Sequence, residues 1–209
     1  MQQIVLPEGI KEIGTEAFAG TKISKLPVVP DTCVVGTDLY AGSKAGNIAI
    51  PEGYTLIPTR CFAQANTTAY KFPSTLKTIG KEAFVDSKVQ AVNLPNGVET
   101  IGERAFAGCG NLGKATLPET LTEIGPAVFK DCAKLKSIVL PNSIIRVEEE
   151  TFSGCAGLNS ATIPASVEFI AENAFADCNA KLVLTVVEGS YAETWAAAHE
   201  IAVKALPAA

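Results

Sequence analysis

Apolar and polar positions recur along this chain in a register of 22 or 23 residues. The aromatic residues show the register most simply. Eight of them are spaced by 22 residues in the first half of the chain and by 23 in the second: Phe18, Tyr40, Phe62, Phe84, Phe106, Phe129, Phe152 and Phe175. A proline lies eleven residues before seven of these aromatics, whereas the second copy has Val29 in that position and Pro30 after it. Such a fixed period predicts eight stacked repeats, each meeting the same neighbours.

The segment before each proline has the two-residue period of a strand. In the fifth repeat Val92 and Leu94 are apolar and Asn93 between them is polar, so alternate side chains point inward. Proline lacks the amide hydrogen that a ladder needs and therefore ends the strand. The register puts Pro27 at an outward strand position, where it interrupts the ladder. Parallel strands about 4.8 Å apart predict a sheet about 35–40 Å long on one wall of a solenoid.

The segment after each proline supplies the opposite wall. Apolar residues follow three and six positions later, as at Val98 and Ile101, and a glycine often comes next. Pro58 occupies this glycine position in the third repeat, and proline is confined to negative φ, so the position does not require a left-handed residue. The glycine should help close packing or turning without being obligatory. The following Ala-Phe pair predicts a short helical turn whose aromatic ring fills the core.

The complete pattern, L-x-x-I-x-[LI]-P-x-x-[VL]-x-x-I-G-x-x-A-F-x-x-C, resembles the BspA-type leucine-rich repeat of bacterial surface proteins over residues 1–178. The resemblance implies an α/β solenoid: a curved, right-handed leucine-rich-repeat solenoid with a parallel β-sheet on the concave face and short turns or helical turns on the convex side. It also implies adhesion to host proteins, an extracellular or cell-surface location within a longer precursor, and no enzymatic activity.

The two ends of the chain differ. Residues 1–180 form the eight repeats and residues 181–209 a C-terminal cap of strand, helix and strand. Ser190 followed by Glu193 is a capping box ahead of a helix of about nine residues, in which Tyr191 and Trp195 should cover the last repeat. At the start, Ile4 and Leu6 already occupy strand positions. The chain is therefore either cut from something longer or has an open edge that meets a partner, including a second copy.

Composition and charge narrow the function. The 209 residues are 47% hydrophobic and 19% charged, which is enough for one folded domain with a substantial core. A net charge of −5 without a Lys/Arg cluster argues against nucleic acid as a partner. The chain has no apolar run of about 18 residues, so membrane insertion is not expected. The start lacks a signal peptide and the six cysteines look unpaired, which suits a cytoplasmic chain as the alternative location.

Four cysteines recur three residues after the aromatic: Cys109, Cys132, Cys155 and Cys178. The shorter repeats have Thr21, Ser43, Ala65 and Ser87 there, so the position requires a small buried side chain, and a ladder of free thiols is the favoured interpretation. Disulfides are an alternative, although stacked Cβ atoms about 5 Å apart exceed the usual range. A zinc site is another, although it needs cysteines that converge tetrahedrally.

Catalytic chemistry has little support in the sequence. His199 is the only histidine and ends the terminal helix, where the helix dipole favours it. The acidic run 148–150 is a solvated surface or, alternatively, a cation site. We therefore predict no catalytic, metal-binding or cofactor-binding residue. A protein-binding or adhesion module is the first hypothesis, a structural spacer or stalk within a larger surface protein the second, and an enzyme the third.

The outward strand positions are the candidate binding surface. Among sixteen such positions no acid occurs and three are lysines, so this face should be neutral to weakly positive and suit an acidic or extended protein segment. Alternatively, stacked strands simply avoid rows of like charge. The candidate residues are Lys25, Asn47, Lys71, Asn93, Lys114, Thr116, Ser137, Ser160 and Thr162.

Overall fold

A computed structural model describes residues 4–30 and 33–207 of the chain. They form a solenoid of short parallel strands, which confirms the predicted fold class. The strands are, in chain order, β1 (Glu12–Ile13), β2 (Val34–Val35), β3 (Asn47–Ala49), β4 (Leu56–Ile57), β5 (Ala69–Lys71), β6 (Thr78–Ile79), β7 (Ala91–Asn93), β8 (Thr100–Ile101), β9 (Lys114–Thr116), β10 (Glu123–Ile124), β11 (Ser137–Val139), β12 (Arg146–Val147), β13 (Ser160–Thr162) and β14 (Phe169–Ile170). Then come β15 (Val183–Val187), helix α1 (Tyr191–Ala198) and β16 (Ala202–Leu206).

The core is one continuous column of side chains. In β7, Val92 is buried between the exposed Ala91 and Asn93, which is the predicted alternation. The eight aromatic rings of the repeats stack on one another with centroids 5.1–5.7 Å apart. Identical positions therefore meet from turn to turn, as the constant sequence period requires.

From the second turn onward the glycines that follow the second strand serve close packing, which is one of the two roles that the sequence left open. Gly80 and Gly102 have no positive φ, but a Cβ on Gly80 would lie 2.7 Å from the carbonyl oxygen of Ile57, and one on Gly102 would lie 2.8 Å from the Lys81 nitrogen. Both distances are too short for a side chain. The backbones of neighbouring turns approach each other most closely at this point.

The aromatic segments are turns and not the short helical turns that the sequence predicted. In seven repeats the residue two positions before the aromatic has a left-handed backbone, with φ between 53° and 57°: Glu16, Asp38, Arg60, Glu82, Arg104, Ala127 and Glu150. The residue two after the aromatic is also left-handed in each repeat. This alternation turns backbone groups toward the next repeat, so that Phe106 N–H donates to the Val128 oxygen at 3.0 Å and Gly108 N–H to the Lys130 oxygen at 2.8 Å. The aromatic wall thus carries its own backbone ladder.

The second turn has a register that differs from the predicted one. Lys25 lies opposite Ala49 and not Asn47, and Pro27 is buried instead of pointing outward. Pro27 takes the proline position that had been assigned to Val29. There it ends the strand, needs no amide hydrogen, and accepts a hydrogen bond on its carbonyl from Tyr54 Oη at 2.9 Å.

A compensating change in length explains this register. Pro27 follows Thr21 by six residues, whereas the next proline, Pro51, follows Ser43 by eight. The lost two residues are recovered in the loop between Pro27 and Val35. The aromatic spacing stays at 22, so the shift is invisible in the repeat period.

The predicted continuous sheet is interrupted once in the described part of the chain. Strands β3, β5, β7 and β9 form one sheet and β11, β13, β15 and β16 another. The two-residue strands break between β2 and β4 and, at the same turns as the sheet, between β10 and β12. We call this break between the sixth and seventh turns the seam. The aromatic ladder continues across it, because Phe129 N–H donates to the Thr151 oxygen at 2.9 Å and Asp131 N–H to the Ser153 oxygen at 2.8 Å.

The C-terminal segment covers the last repeat. Ser190 is the N-cap of α1 and accepts from the Glu193 amide at 3.3 Å, while the Glu193 carboxylate accepts from Gly189 N–H at 2.7 Å. The buried stripe of α1 consists of Ala192, Trp195 and Ala196, which are three and four positions apart. Tyr191 lies beside this stripe and is 43% exposed. Trp195 is therefore the large side chain of α1 that is buried against the repeats, and Tyr191 is only partly covered.

Candidate functional site

The nine candidate residues lie on one wall of the solenoid, which we call the strand face. Seven are exposed, while Ser160 and Thr162 are half-buried. The strands align them in rows, with Asn93 beside Thr116 and Ser137 beside Ser160. The seam separates Lys114 and Thr116 of β9 from Ser137 of β11. The structure thus brings the nine residues to a common surface, and their binding role stays a prediction.

Charge is segregated between the two walls of the solenoid more strongly than the sixteen outward strand positions alone predicted. In each turn from the second onward, one stretch runs from the cysteine position to the proline position. We call these stretches, together with the last-turn segment from Cys178 through β15 and with β16, the strand side. It contains no Asp or Glu. It contains ten lysines, all exposed: Lys22, Lys25, Lys44, Lys71, Lys88, Lys114, Lys134, Lys136, Lys181 and Lys204. The strand side is therefore strongly basic in an acidic chain, so the expectations of a neutral to weakly positive face and of no cluster of basic residues are wrong.

The remaining seven basic residues lie among the acids, and six of them form ion pairs. Arg60 contacts Asp38 at 2.9 Å and Glu82 at 2.8 Å; the others are Lys77, Lys81, Arg104, Lys130 and Arg146. In residues 4–30 and 33–207, none of the ten strand-side lysines makes such a pair. Their charge is uncompensated. The sequence carried this signal, but counting only the outward strand positions missed the lysines that flank the strands.

The strand side has a wide hollow over β3 and β5. Its volume is about 930 Å³, and we call it the lysine hollow because four exposed lysines line it: Lys22, Lys25, Lys44 and Lys71. Its floor is apolar and mostly small, with Ala45 and Ile48 buried and Ala49 and Ala69 between the lysines. A basic rim surrounds an apolar floor.

Three of the four ladder cysteines are buried as predicted, and Cys178 in the last repeat is half-buried. Cys109, Cys132 and Cys155 have no exposed surface, and each Sγ–H donates to the carbonyl of an aromatic residue in the preceding turn, at 3.1–3.3 Å. Burial raises the pKa of Cys109 and of Cys155 to about 12. These groups therefore stay protonated at neutral pH, and a thiol is a poor nucleophile and metal ligand.

Glu148, Glu150 and His199, which the sequence offered as candidate reactive groups, make contacts with neighbouring residues. Glu148 contacts Arg146 at 2.7 Å and Glu150 contacts Lys130 at 2.8 Å, so the acidic run is divided between two ion pairs. His199 stacks on Trp195, with ring centroids 3.9 Å apart, and its Nδ1 lies 2.8 Å from the Trp195 oxygen. Among the described residues no group of three His, Cys, Asp or Glu side chains is arranged to hold a metal ion.

No helix within the described ranges has both the length and the apolar character needed to cross a bilayer. The chain also matches no curated protein sequence.

Solved structures similar to this chain are bacterial leucine-rich-repeat proteins. The leucine-rich-repeat protein of T. pallidum aligns with a TM-score of 0.63 at 21% identity, over 95% of this chain and 91% of that one. A leucine-rich-repeat protein from Bacteroides ovatus aligns with a TM-score of 0.47 at 21% identity, over 99% and 72%. A leucine-rich cell surface protein from Faecalibacterium prausnitzii aligns with 0.40 at 14% identity, over 99% and 86%.

The family itself is identified from the sequence. The model of the BspA type leucine-rich repeat region matches residues 1–113 and 55–181, with six copies. These matches span the eight stacked aromatic rings and the cysteine ladder. The chain belongs to the BspA-type leucine-rich-repeat family.

Proposed function

We propose that this chain is a non-enzymatic protein-binding module that holds its partner on the strand face, as part of a bacterial cell-surface or secreted protein. The observation that carries the proposal is the charge segregation: ten exposed lysines and no carboxylate on the strand side. A stalk needs a stable core but gains nothing from a wall of one sign. A binding surface gains faster association and selectivity from it.

The shape of the strand face supports the same proposal. Its outward residues between the lysines are small, as at Ala49, Ala69 and Ala91, so a partner can approach the backbone closely. The lysines are not engaged with carboxylates of the described chain, so a partner does not have to break existing ion pairs to reach them. The buried thiols with raised pKa give no nucleophile at neutral pH, which supports a role without catalysis.

The test uses beads that carry the chain and measures their attachment to an epithelial cell layer. We expect more attachment than with bare beads, and loss of it after protease treatment of the cells. The variant Lys25→Glu/Lys71→Glu/Lys114→Glu should attach about tenfold less. The variant Lys11→Glu/Lys77→Glu/Lys81→Glu, which changes the net charge equally on the opposite wall, should attach like the wild type. Attachment no better than that of bare beads would overturn the proposal in favour of a spacer.

A further inference from the structure

The lysine hollow arises from the irregular second turn. The stretch from Thr21 to Pro27 is two residues shorter than its counterpart in the next turn, so Lys25 moves up to lie opposite Ala49. Lys22 stays in register, because the amide of Lys44 donates to the Thr21 oxygen at 2.8 Å. The shortened stretch therefore places two lysines next to those of the following turns, Lys44 and Lys71.

This arrangement concentrates like charge without local compensation. Four lysines line one cavity of about 930 Å³, on turns that repeat about every 4.8 Å. Among the described residues, no carboxylate pairs with any of them. Repulsion between the ammonium groups opposes the folded arrangement, and an anionic partner removes that repulsion when it binds.

The floor of the hollow selects the class of anion. The exposed Ala49 and Ala69 offer apolar contacts between the lysines, and a protein interface combines such an apolar centre with a polar rim. A polypeptide can place apolar side chains on the floor and carboxylates on the rim. A sulfated polysaccharide supplies the charges but has no apolar side chains for the floor.

We infer that the lysine hollow binds an extended acidic segment of a partner protein, with its carboxylates on Lys22, Lys25, Lys44 and Lys71. The inference rests on the proposed function and gives its partner a chemistry and a place. Three turns span about 10 Å, so about four residues of an extended segment cover the hollow.

The experiment measures binding of a fluorescein-labelled ten-residue peptide in which Glu alternates with Ala, by fluorescence anisotropy. A peptide with Gln in place of Glu is the ligand control. We expect the Glu peptide to bind at least about tenfold more tightly than the Gln peptide, and its affinity to fall as salt rises. The variant Lys22→Gln/Lys44→Gln/Lys71→Gln should lose about tenfold in affinity for the Glu peptide.

A matched variant tests the location. Lys134→Gln/Lys136→Gln/Lys181→Gln removes the same charge from the other end of the strand side and should bind the Glu peptide within about threefold of the wild type. All six lysines are exposed, and circular dichroism of each variant checks that it remains folded.

Three results would overturn the inference: equal binding of the two peptides, equal loss in the two variants, or tighter binding of a heparin fragment than of the Glu peptide. Lys25 and Lys71 belong to both sets, but the bead assay measures attachment directly, and attachment that depends on the strand-face lysines would stand after any of these three results. Failure of the hollow and failure of the proposed function are therefore separate results.

Discussion

The indole of Trp195 lies 5.8 Å from the ring of Phe175, tilted by 53°. It extends the aromatic column beyond the last repeat and is 7% exposed itself. The two residues come from different kinds of structure, a repeat turn and a helix, yet they share one line of packing. Helix α1 thus contributes one large side chain to the core, Trp195.

Replacing Trp195 by Ala should lower the free energy of unfolding by about 3–5 kcal/mol, because the substitution leaves a cavity over Phe175. Urea unfolding followed by circular dichroism measures this loss. Tyr191→Ala on the same helix is the control and should change stability by less than about 0.5 kcal/mol, since Tyr191 is largely exposed. A loss below about 1 kcal/mol for Trp195→Ala would contradict the role of the cap.

Gly80→Ala should destabilise the chain by about 1–3 kcal/mol, because the new methyl group has no room beside the Ile57 carbonyl. Gly14 occupies the same position of the first repeat, but nothing lies within 4 Å of a Cβ placed there. Gly14→Ala should therefore change the free energy of unfolding by no more than about 0.5 kcal/mol. Equal effects of the two substitutions in thermal or urea unfolding would show that close packing does not explain the glycine.

Glu16→Gly should stabilise the chain by about 0.5–1 kcal/mol, since Glu16 is left-handed with φ of 57° and glycine adopts that conformation without steric cost. Glu12→Gly in β1 removes the same charge from an extended position. It should destabilise the chain by about 0.5–1 kcal/mol, because glycine weakens a strand. Urea midpoints that move in the same direction for both variants would contradict the left-handed assignment.

The free energy of unfolding should fall as the pH rises above about 9. The folded state keeps the proton on Cys109 and Cys155 up to about pH 12, whereas the unfolded thiols lose theirs near the ordinary pKa of about 8.5. The unfolded state therefore binds fewer protons between these values, and stability declines by at most about 1.4 kcal/mol per pH unit for each thiol.

The variant Cys109→Ser/Cys132→Ser/Cys155→Ser tests the origin of this slope, and Ser87 already fills the same position in the fourth repeat, where it is buried. Its free energy of unfolding should depend less on pH between 9 and 10.5, as urea titrations at several pH values would measure. An unchanged slope would assign the alkaline loss to other groups, such as the buried Tyr40, whose pKa burial also raises.

The features that sequence predicted well are those that every repeat must satisfy in the same way. The aromatic column needs one large ring in each turn, so Phe106 and its counterparts recur with a fixed spacing, and the strand before each proline needs alternation. The register of the second turn could not be predicted, because its shortening before Pro27 is cancelled by a longer loop after it. A constant period cannot reveal two opposite changes within one repeat.

The left-handed backbone positions could not be predicted for a different reason. Glycine is the usual sequence signal for positive φ, but Arg60, Glu82 and Arg104 occupy these positions, and their charged side chains indicate only solvent exposure. Their ion pairs across turns, such as Arg60 with Glu82 at 2.8 Å, accompany the strained backbone. The lysine hollow depends on the register of the second turn, and its full shape could not be predicted without that register.

The seam gives the solenoid an uneven resistance to bending. From the third to the sixth turn, and again between the seventh and eighth, three backbone ladders tie each turn to the next, but across the seam only the ladder through Phe129 and Thr151 remains. A load that spreads the strand face therefore opens the molecule there first, with the aromatic wall acting as the pivot. Pulled from its two ends in an optical trap, the chain should yield in two separate steps, one for each block of turns.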